Sequence, residues 1–446
     1  MRTEITDGNL LKGLITVSSP IIVSNILQSV VEVVDLFFVG KLGPDAIAGV
    51  AMSMMFILAI MTIIIGVVTA TTAFISHAWG AKEYDSVGTL LIHALLIGAG
   101  FAVVFAAIGL FGAEHILLLL GATGPVAEVG GQFLRVILLG NYTMVALWIL
   151  SSAYQSCGNS KTPMQVMIGT NIINIILNPL LIFGYGIIPA FGVTGSALAT
   201  IFGRTCGLAV LLSLIFAGKG PFRFPEVIRF DYSLAKRLFV VAIPNAIQNG
   251  VRSFSFLALT AIVAVFGAAA LSAYGIVIRM ELIALMPGFA IATGTAVVVG
   301  QNLGAKKPER AILGVHYSLL FYGVIMALLS ALYFIGAAGI IEFFDPSGTS
   351  TLIGTGYFRM VAPFYILTAI SIILSFAMNG AGATRIPMYA TSIALIGIQI
   401  PLALFLPTYL GNGITGVWYA VIIGNFVQAA LLFMFFIRKT WLVSKI

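Results

Sequence analysis

Long apolar runs separated by short polar breaks fill almost the whole chain. They fall at 11–40, 46–76, 86–112, 126–155, 163–186 and 192–217, then at 234–264, 269–299, 310–340, 351–378, 387–407 and 413–437. The runs are about 20 to 30 residues long, and roughly 20 suffice to cross a bilayer as a helix. The pattern predicts an all-α polytopic membrane protein of twelve transmembrane helices. The stretch 1–9, with Arg2, Glu4 and Asp7, is too weakly basic for a cleaved signal peptide, and the span after it too long; it is expected to lead into the first transmembrane helix.

The two sets of six spans are copies. Shifted by 224 positions, Pro20 falls on Pro244, Asn25 on Asn249, Gly43 on Gly267 and Thr69 on Thr293. Gly80-Ala81-Lys82 falls on Gly304-Ala305-Lys306, and Gly158 on Gly382. After a slip of three residues, Gly192-Val-Thr-Gly195 matches Gly413-Ile-Thr-Gly416. Six spans is an even number, so both halves start on the same side and the repeat is parallel. The expected organisation is two pseudo-symmetric six-helix bundles, residues 1–217 and 234–446, joined by a cytoplasmic linker at 218–233. Duplicated bundles in a membrane point to a transporter, because two like bundles can rock about a central cleft.

Composition strengthens this reading. Of 446 residues, 60% are hydrophobic and 8% charged, and mean hydropathy is +1.11. Water-soluble domains carry about 25% charged residues. The net charge of +7 follows topology: sixteen of the 22 Lys and Arg residues, from Arg2 to Lys445, fall on one side of the predicted spans and only Lys41 on the other. The positive-inside rule then puts both termini in the cytoplasm, at the cytoplasmic membrane. Nucleic-acid binding has no support. Cys157 and Cys206 are too few for a disulfide framework.

Polar side chains inside spans are costly and therefore informative. In the first span Asn25, Gln28, Glu32 and Asp35 recur at helical spacing and share one face. The fifth span carries Asn171, Asn174 and Asn178, and the sixth opens with Thr194, Ser196 and Thr200. An acid, amides and a hydroxyl at similar depth can hold Na+ or a protonatable carboxylate; the same residue types also bridge helices by hydrogen bonds. The repeat turns Gln28 into Arg252, Glu32 into Phe256 and Asp35 into Leu259, so the acidic face exists only in the N-terminal half. Arg252 and Glu281 fall at matching depths on neighbouring spans and predict an intramembrane ion pair that is either structural or part of transport. Pro20 and Pro244 each interrupt the first helix of a bundle, as passive kinks or hinges. The chain has no Walker A sequence, no clustered histidines and no nucleophile–base spacing, so an enzyme is not expected and no cofactor is called for.

Several stretches together resemble the multidrug and toxic compound extrusion (MATE) family over essentially the full length. They are Pro20 through Val33-Val-Asp-Leu-Phe-Phe-Val-Gly-Lys-Leu-Gly43, His77-Ala-Trp-Gly-Ala-Lys82, Tyr154-Gln-Ser-Cys-Gly-Asn-Ser-Lys-Thr-Pro163 and Gly192-Val-Thr-Gly-Ser-Ala-Leu-Ala199. Asn171 through Gly184 and the duplicated Gly300-Gln-Asn-Leu-Gly-Ala-Lys306 complete the pattern. The resemblance implies two bundles forming a V-shaped cleft, and export of amphipathic, often cationic drugs in exchange for Na+ or H+, by a monomer surrounded by membrane lipids. An acid at Asp35 with none at its repeat position is similar to the DNA-damage-inducible-F-like branch. That branch implies ion coupling at Asp35, Asn174 and Ser196, with bending at Pro20, and here Asn178 stands where it often has a second carboxylate. Glu32 is the candidate to replace that missing charge, and Phe133 stands where the branch has an aromatic hydroxyl. A Na+ site would comprise Asp35, Asn174, Asn178 and Ser196, with Gln28, Asn171, Thr194, Thr200, Phe133 and Met280 as substrate-cavity candidates. With only Asp35 and Glu32 as acids a Na+ would have fewer charged ligands, which favours a proton-coupled cycle, and the choice between Na+ and H+ is open at this level. The rival readings are a lipid-linked oligosaccharide flippase of the same superfamily, for which Arg204, Arg252 and Arg279 would face an anionic cargo, and a non-transport integral membrane protein.

Overall fold

The computed structural model describes residues 5–227 and 229–443; Arg2 and Lys445, counted above with the cytoplasmic charges, lie outside them. The N-terminal half forms α1 (Leu10–Gly40), α2 (Pro44–Gly80), α3 (Tyr84–Leu119), α4 (Gly124–Leu139), α5 (Asn141–Ser156), α6 (Lys161–Phe183) and α7 (Val193–Phe216). The C-terminal half forms α8 (Tyr232–Ala264), α9 (Ala268–Gly304), α10 (Pro308–Ile335), α11 (Ala337–Phe344), α12 (Thr351–Val361) and α13 (Tyr365–Gly380). It continues with α14 (Arg385–Ser392), a π-helical stretch (Ile393–Gln399), α15 (Ile400–Tyr409) and α16 (Thr415–Ile437).

Among the described residues eleven helical stretches are long and apolar enough to cross a membrane, and α4 with α5, bent by 48°, makes a twelfth. The sequence predicted one unbroken span over 126–155. The break is at Gly140, where a Cβ would lie 2.3 Å from Ile201 Cδ1, so α7 occupies the space a continuing side chain would need. The run expected at 310–340 likewise breaks at Gly336, between α10 and α11.

The repeat is visible in the helix ends. Lys82 and Lys306 both adopt positive φ (64° and 58°). Glu83 N–H donates to Ala78 O at 2.9 Å and Lys307 N–H to Asn302 O at 2.8 Å, the six-to-one bond of a Schellman cap. A lysine in the left-handed region is strained relative to glycine. Its presence at both copies ties the repeat to backbone geometry as well as to residue type.

The chain divides into two compact units: one contains residues 19–242, the other residues 5–18 with 243–443. The division runs through α1 and α8, just before Pro20 and Pro244, instead of at the expected 218–233 linker. Packing, not hydropathy, sets it. Residues 5–18 belong with α9 and α10, where Gly294 leaves room for Ser18 Oγ and Arg310 Nη2 donates to Gly8 O at 2.7 Å. Residues 218–242 belong with α2 and α3: a Cβ on Gly88 would lie 2.1 Å from Arg223 O, and Arg237 sits over the Phe74 ring. Asp231 N–H donates to His93 Nε2 at 2.8 Å, which leaves the other ring nitrogen to donate to Thr89 O, also at 2.8 Å. The segment expected as a linker therefore packs against the first unit.

Candidate functional site

Two helices with complementary surfaces build the site in the first unit. On α7, Gly195, Ala199, Gly203 and Gly207 recur every fourth residue and are all buried. Cβ atoms would lie 2.3 Å from Leu181 O at Gly195, 3.0 Å from Thr170 O at Gly203 and 2.3 Å from Thr170 Cγ2 at Gly207. Backbones can approach this closely only where side chains are small. The apposed face of α6 is Thr170, Asn171, Asn174, Asn178 and Ile182, all buried. Asn174 Nδ2 donates to Thr200 Oγ1 at 3.1 Å, which locks the two helices in register.

Against this pair α1 presents Asp35. Asn178 Nδ2 donates to Asp35 Oδ1, joining residues 143 apart in sequence. Once both amides have donated, Asn174 Oδ1 and Asn178 Oδ1 remain buried with no hydrogen-bond partner, as does Asn171 Nδ2. Each such group costs about 1–3 kcal/mol unless something fills it. Oxygen donors beside a carboxylate are the groups that hard cations take. Among the described residues no cluster of three His, Cys, Asp or Glu exists, so a transition-metal centre has no ligand set.

The other predicted residues are distributed unevenly. Glu32 is exposed, one turn from Asp35, and accepts a bond from Gln28 Nε2 at 3.4 Å. Arg204 on α7 acts electrostatically on both Asp35 and Glu32, without reaching ion-pair distance. Sequence reasoning assigned Arg204 only to the flippase reading. Ser196 is buried in α7 and makes no hydrogen bond to Asp35, Asn174 or Asn178, whereas Thr200 accepts one from Asn174. Phe133 is 2% exposed and belongs to the packed interior of α4. Thr194 and Met280 are partly buried, and the Met280 carbonyl accepts from Tyr333 OH at 2.9 Å. Pro20 lies within an unbroken α1, where Ser24 Oγ donates to its carbonyl at 2.9 Å.

The second unit contains a cavity of about 260 Å³, walled by α8, α9, α13, α16 and their neighbours. Arg252 and Glu281 both line it, yet the predicted ion pair between them is not formed. Instead Tyr357 OH and Tyr365 OH donate to Glu281 Oε1 at 2.6 and 3.1 Å. Equal depth along two helices fixes height but not direction, and Glu281 Oε1 is taken by the tyrosines of the α12–α13 region. Ser371, Gln399, Asn425, Gln428 and Tyr274 also line the cavity, and sequence reasoning identified none of these five. The signal that was available is the Gln399–Gln428 pair, two amides within apolar spans of the C-terminal half.

Comparison with known proteins agrees with this architecture. The MatE family profile matches the chain twice, over residues 20–180 and 244–405, so the two matches start 224 residues apart, as the internal repeat does. The chain is 28% identical over 408 residues to "Probable multidrug resistance protein YoeA" of Bacillus subtilis, covering 90% of this chain and 87% of that one. It is 28% identical over 433 residues to "Multidrug resistance protein NorM" of Burkholderia vietnamiensis, covering 95% and 93%. Its fold matches a MOP superfamily transporter from Pyrococcus furiosus with a TM-score of 0.90 at 20% identity, over 100% of this chain and 99% of the other. It also matches a mutant of the Vibrio cholerae MATE transporter VcmN with a TM-score of 0.89 at 22% identity, covering 98% and 99%. With the family profile covering well over half its length in two copies, the chain belongs to the MatE family, a transporter family, and is a multi-pass membrane protein.

Proposed function

We propose that this protein exports amphipathic organic cations by alternating access, in exchange for a cation bound at Asp35, and that this cation is Na+. The observation that carries the proposal is the pair of unpartnered buried oxygens, Asn174 Oδ1 and Asn178 Oδ1, beside the acid that Asn178 already holds. A proton would neutralise Asp35, but its single O–H satisfies at most one of the two amide oxygens and leaves the other unfilled, at about 1–3 kcal/mol. A sodium ion neutralises the acid and uses the oxygens as well. Thr200 and the α6–α7 glycine contacts hold the amides in place, and Arg204 lowers the net negative charge so that binding stays reversible.

Ion binding shifts a conformational equilibrium only by its differential affinity for the two states. The differential arises if the bend of α1 at Pro20 moves Asp35 relative to Asn178, so that one state has the full ligand set and the other does not. Pro20 supports this role because it removes a backbone donor from the helix and lies at the division between the compact units. The acid on the first helix without a repeat counterpart supports placement in the DNA-damage-inducible-F-like branch. The one-sided distribution of Lys and Arg supports cytoplasmic termini, and a monomer suffices because the site is built within one chain.

The test is efflux of ethidium from proteoliposomes under imposed gradients. An inward Na+ gradient at equal pH on both sides should drive export, whereas export driven only by a pH gradient would reassign the ion to H+ and leave the Asn oxygens to water.

A further inference from the structure

The geometry points to a second ligand site, in the cavity of the C-terminal unit, that takes a compact zwitterion of the α-amino-acid class with an apolar side chain. The cavity presents one guanidinium and one carboxylate that do not pair with each other. Among the described residues Arg252 has no hydrogen-bond or ion-pair partner for its guanidinium donors. Glu281 takes both tyrosine hydroxyls on Oε1, and among the described residues none donates to Oε2. Opposite charges held in one cavity without pairing leave each to be compensated by something else. A ligand carrying its own carboxylate and ammonium neutralises both: the fork of Arg252 matches a carboxylate, and Glu281 Oε2 with the tyrosine rings matches an ammonium.

Two further observations point to a ligand. Ser371 Oγ and Gln399 Oε1 line the cavity, are buried at 3% and 4% exposure, and have no hydrogen-bond partner. Gln399 ends the π-helical stretch, and such bulges are frequent at functional sites. Its side chain fits only because Gly424 has none: a Cβ there would lie 2.8 Å from Gln399 Cβ. The volume of about 260 Å³ lies at the small end of ligand pockets and suits a compact molecule. Phe289 and Met326 supply the apolar wall for its side chain.

The test is isothermal titration of the full-length protein in nanodiscs with L-phenylalanine, 2-phenylethylamine (no carboxylate) and 3-phenylpropanoate (no ammonium). The wild type should bind L-phenylalanine at one site and each singly charged analogue at least about tenfold more weakly. In Arg252→Gln the penalty for lacking a carboxylate should vanish, and in Glu281→Gln the penalty for lacking an ammonium. Gly424→Ala, which displaces Gln399 and leaves both charges, should weaken L-phenylalanine without changing the ranking of the analogues. A wild type that binds 2-phenylethylamine as well as L-phenylalanine, or shows no saturable heat up to about 10 mM, would overturn the assignment. So would charge variants of unchanged thermal midpoint that keep the wild-type ranking.

Discussion

The side-chain amide of Asn178 donates to the carboxylate of Asp35, and this bond joins the acidic face of α1 to the asparagine face of α6. The amide oxygen left over, buried and unpartnered, is what supports the proposal of a cation site over a simple helix bridge. Asn178→Leu should keep the fold and reduce ion-driven ethidium efflux by at least about tenfold, equivalent to roughly 1.4 kcal/mol. Initial efflux rates from proteoliposomes check this.

Asn174 is held by Thr200, whereas Ser196 makes no hydrogen bond to Asp35, Asn174 or Asn178. Thr200→Val removes the acceptor of the 3.1 Å bond and should raise the Na+ concentration for half-maximal efflux, by a factor corresponding to about 1 kcal/mol. Ser196→Ala should leave it unchanged. The two titration curves, measured side by side, separate the roles of the two hydroxyls.

The α6–α7 contact depends on missing side chains. Gly207→Val must place a Cβ where Thr170 Cγ2 already lies, 2.3 Å away. Overpacking of this kind costs about 1–3 kcal/mol. The thermal midpoint should fall, with efflux falling more than the midpoint alone explains, because Asn174 and Asn178 shift with α6.

Outside the spans, Asp345 is held well below the usual carboxylate range by donors from Ser347 and Ser350, which fold the turn before α12. A depressed folded-state pKa gives stability that is fully present above the unfolded value of about 3.9 and is lost as pH falls. Asp345→Asn should therefore increase hydrogen exchange over residues 345–351 at pH 7, and the difference from wild type should shrink below about pH 3.9.

Much of the fold was legible because membrane spans announce themselves by length and polarity, and the repeat aligned Lys82 with Lys306 before any backbone angle was known. The break at Gly140 was not legible, since Val136-Ile-Leu-Leu-Gly140 is apolar throughout and only the proximity of Ile201 reveals it. Asp35, Asn174 and Asn178 stood out because polar groups in apolar runs are rare. The C-terminal cavity stayed hidden because tyrosines 274, 357 and 365 read as aromatic bulk, and because partner choice for Glu281 depends on direction around a helix axis, not on depth.

The most direct measurement is Na+-driven ethidium efflux by Asp35→Asn beside the wild type, in proteoliposomes with matched protein orientation and amount. The account predicts loss of the Na+ dependence, with ethidium still binding to the variant, since the substitution keeps side-chain shape and removes only the charge the ion neutralises. Na+-driven efflux at the wild-type rate in Asp35→Asn would contradict it.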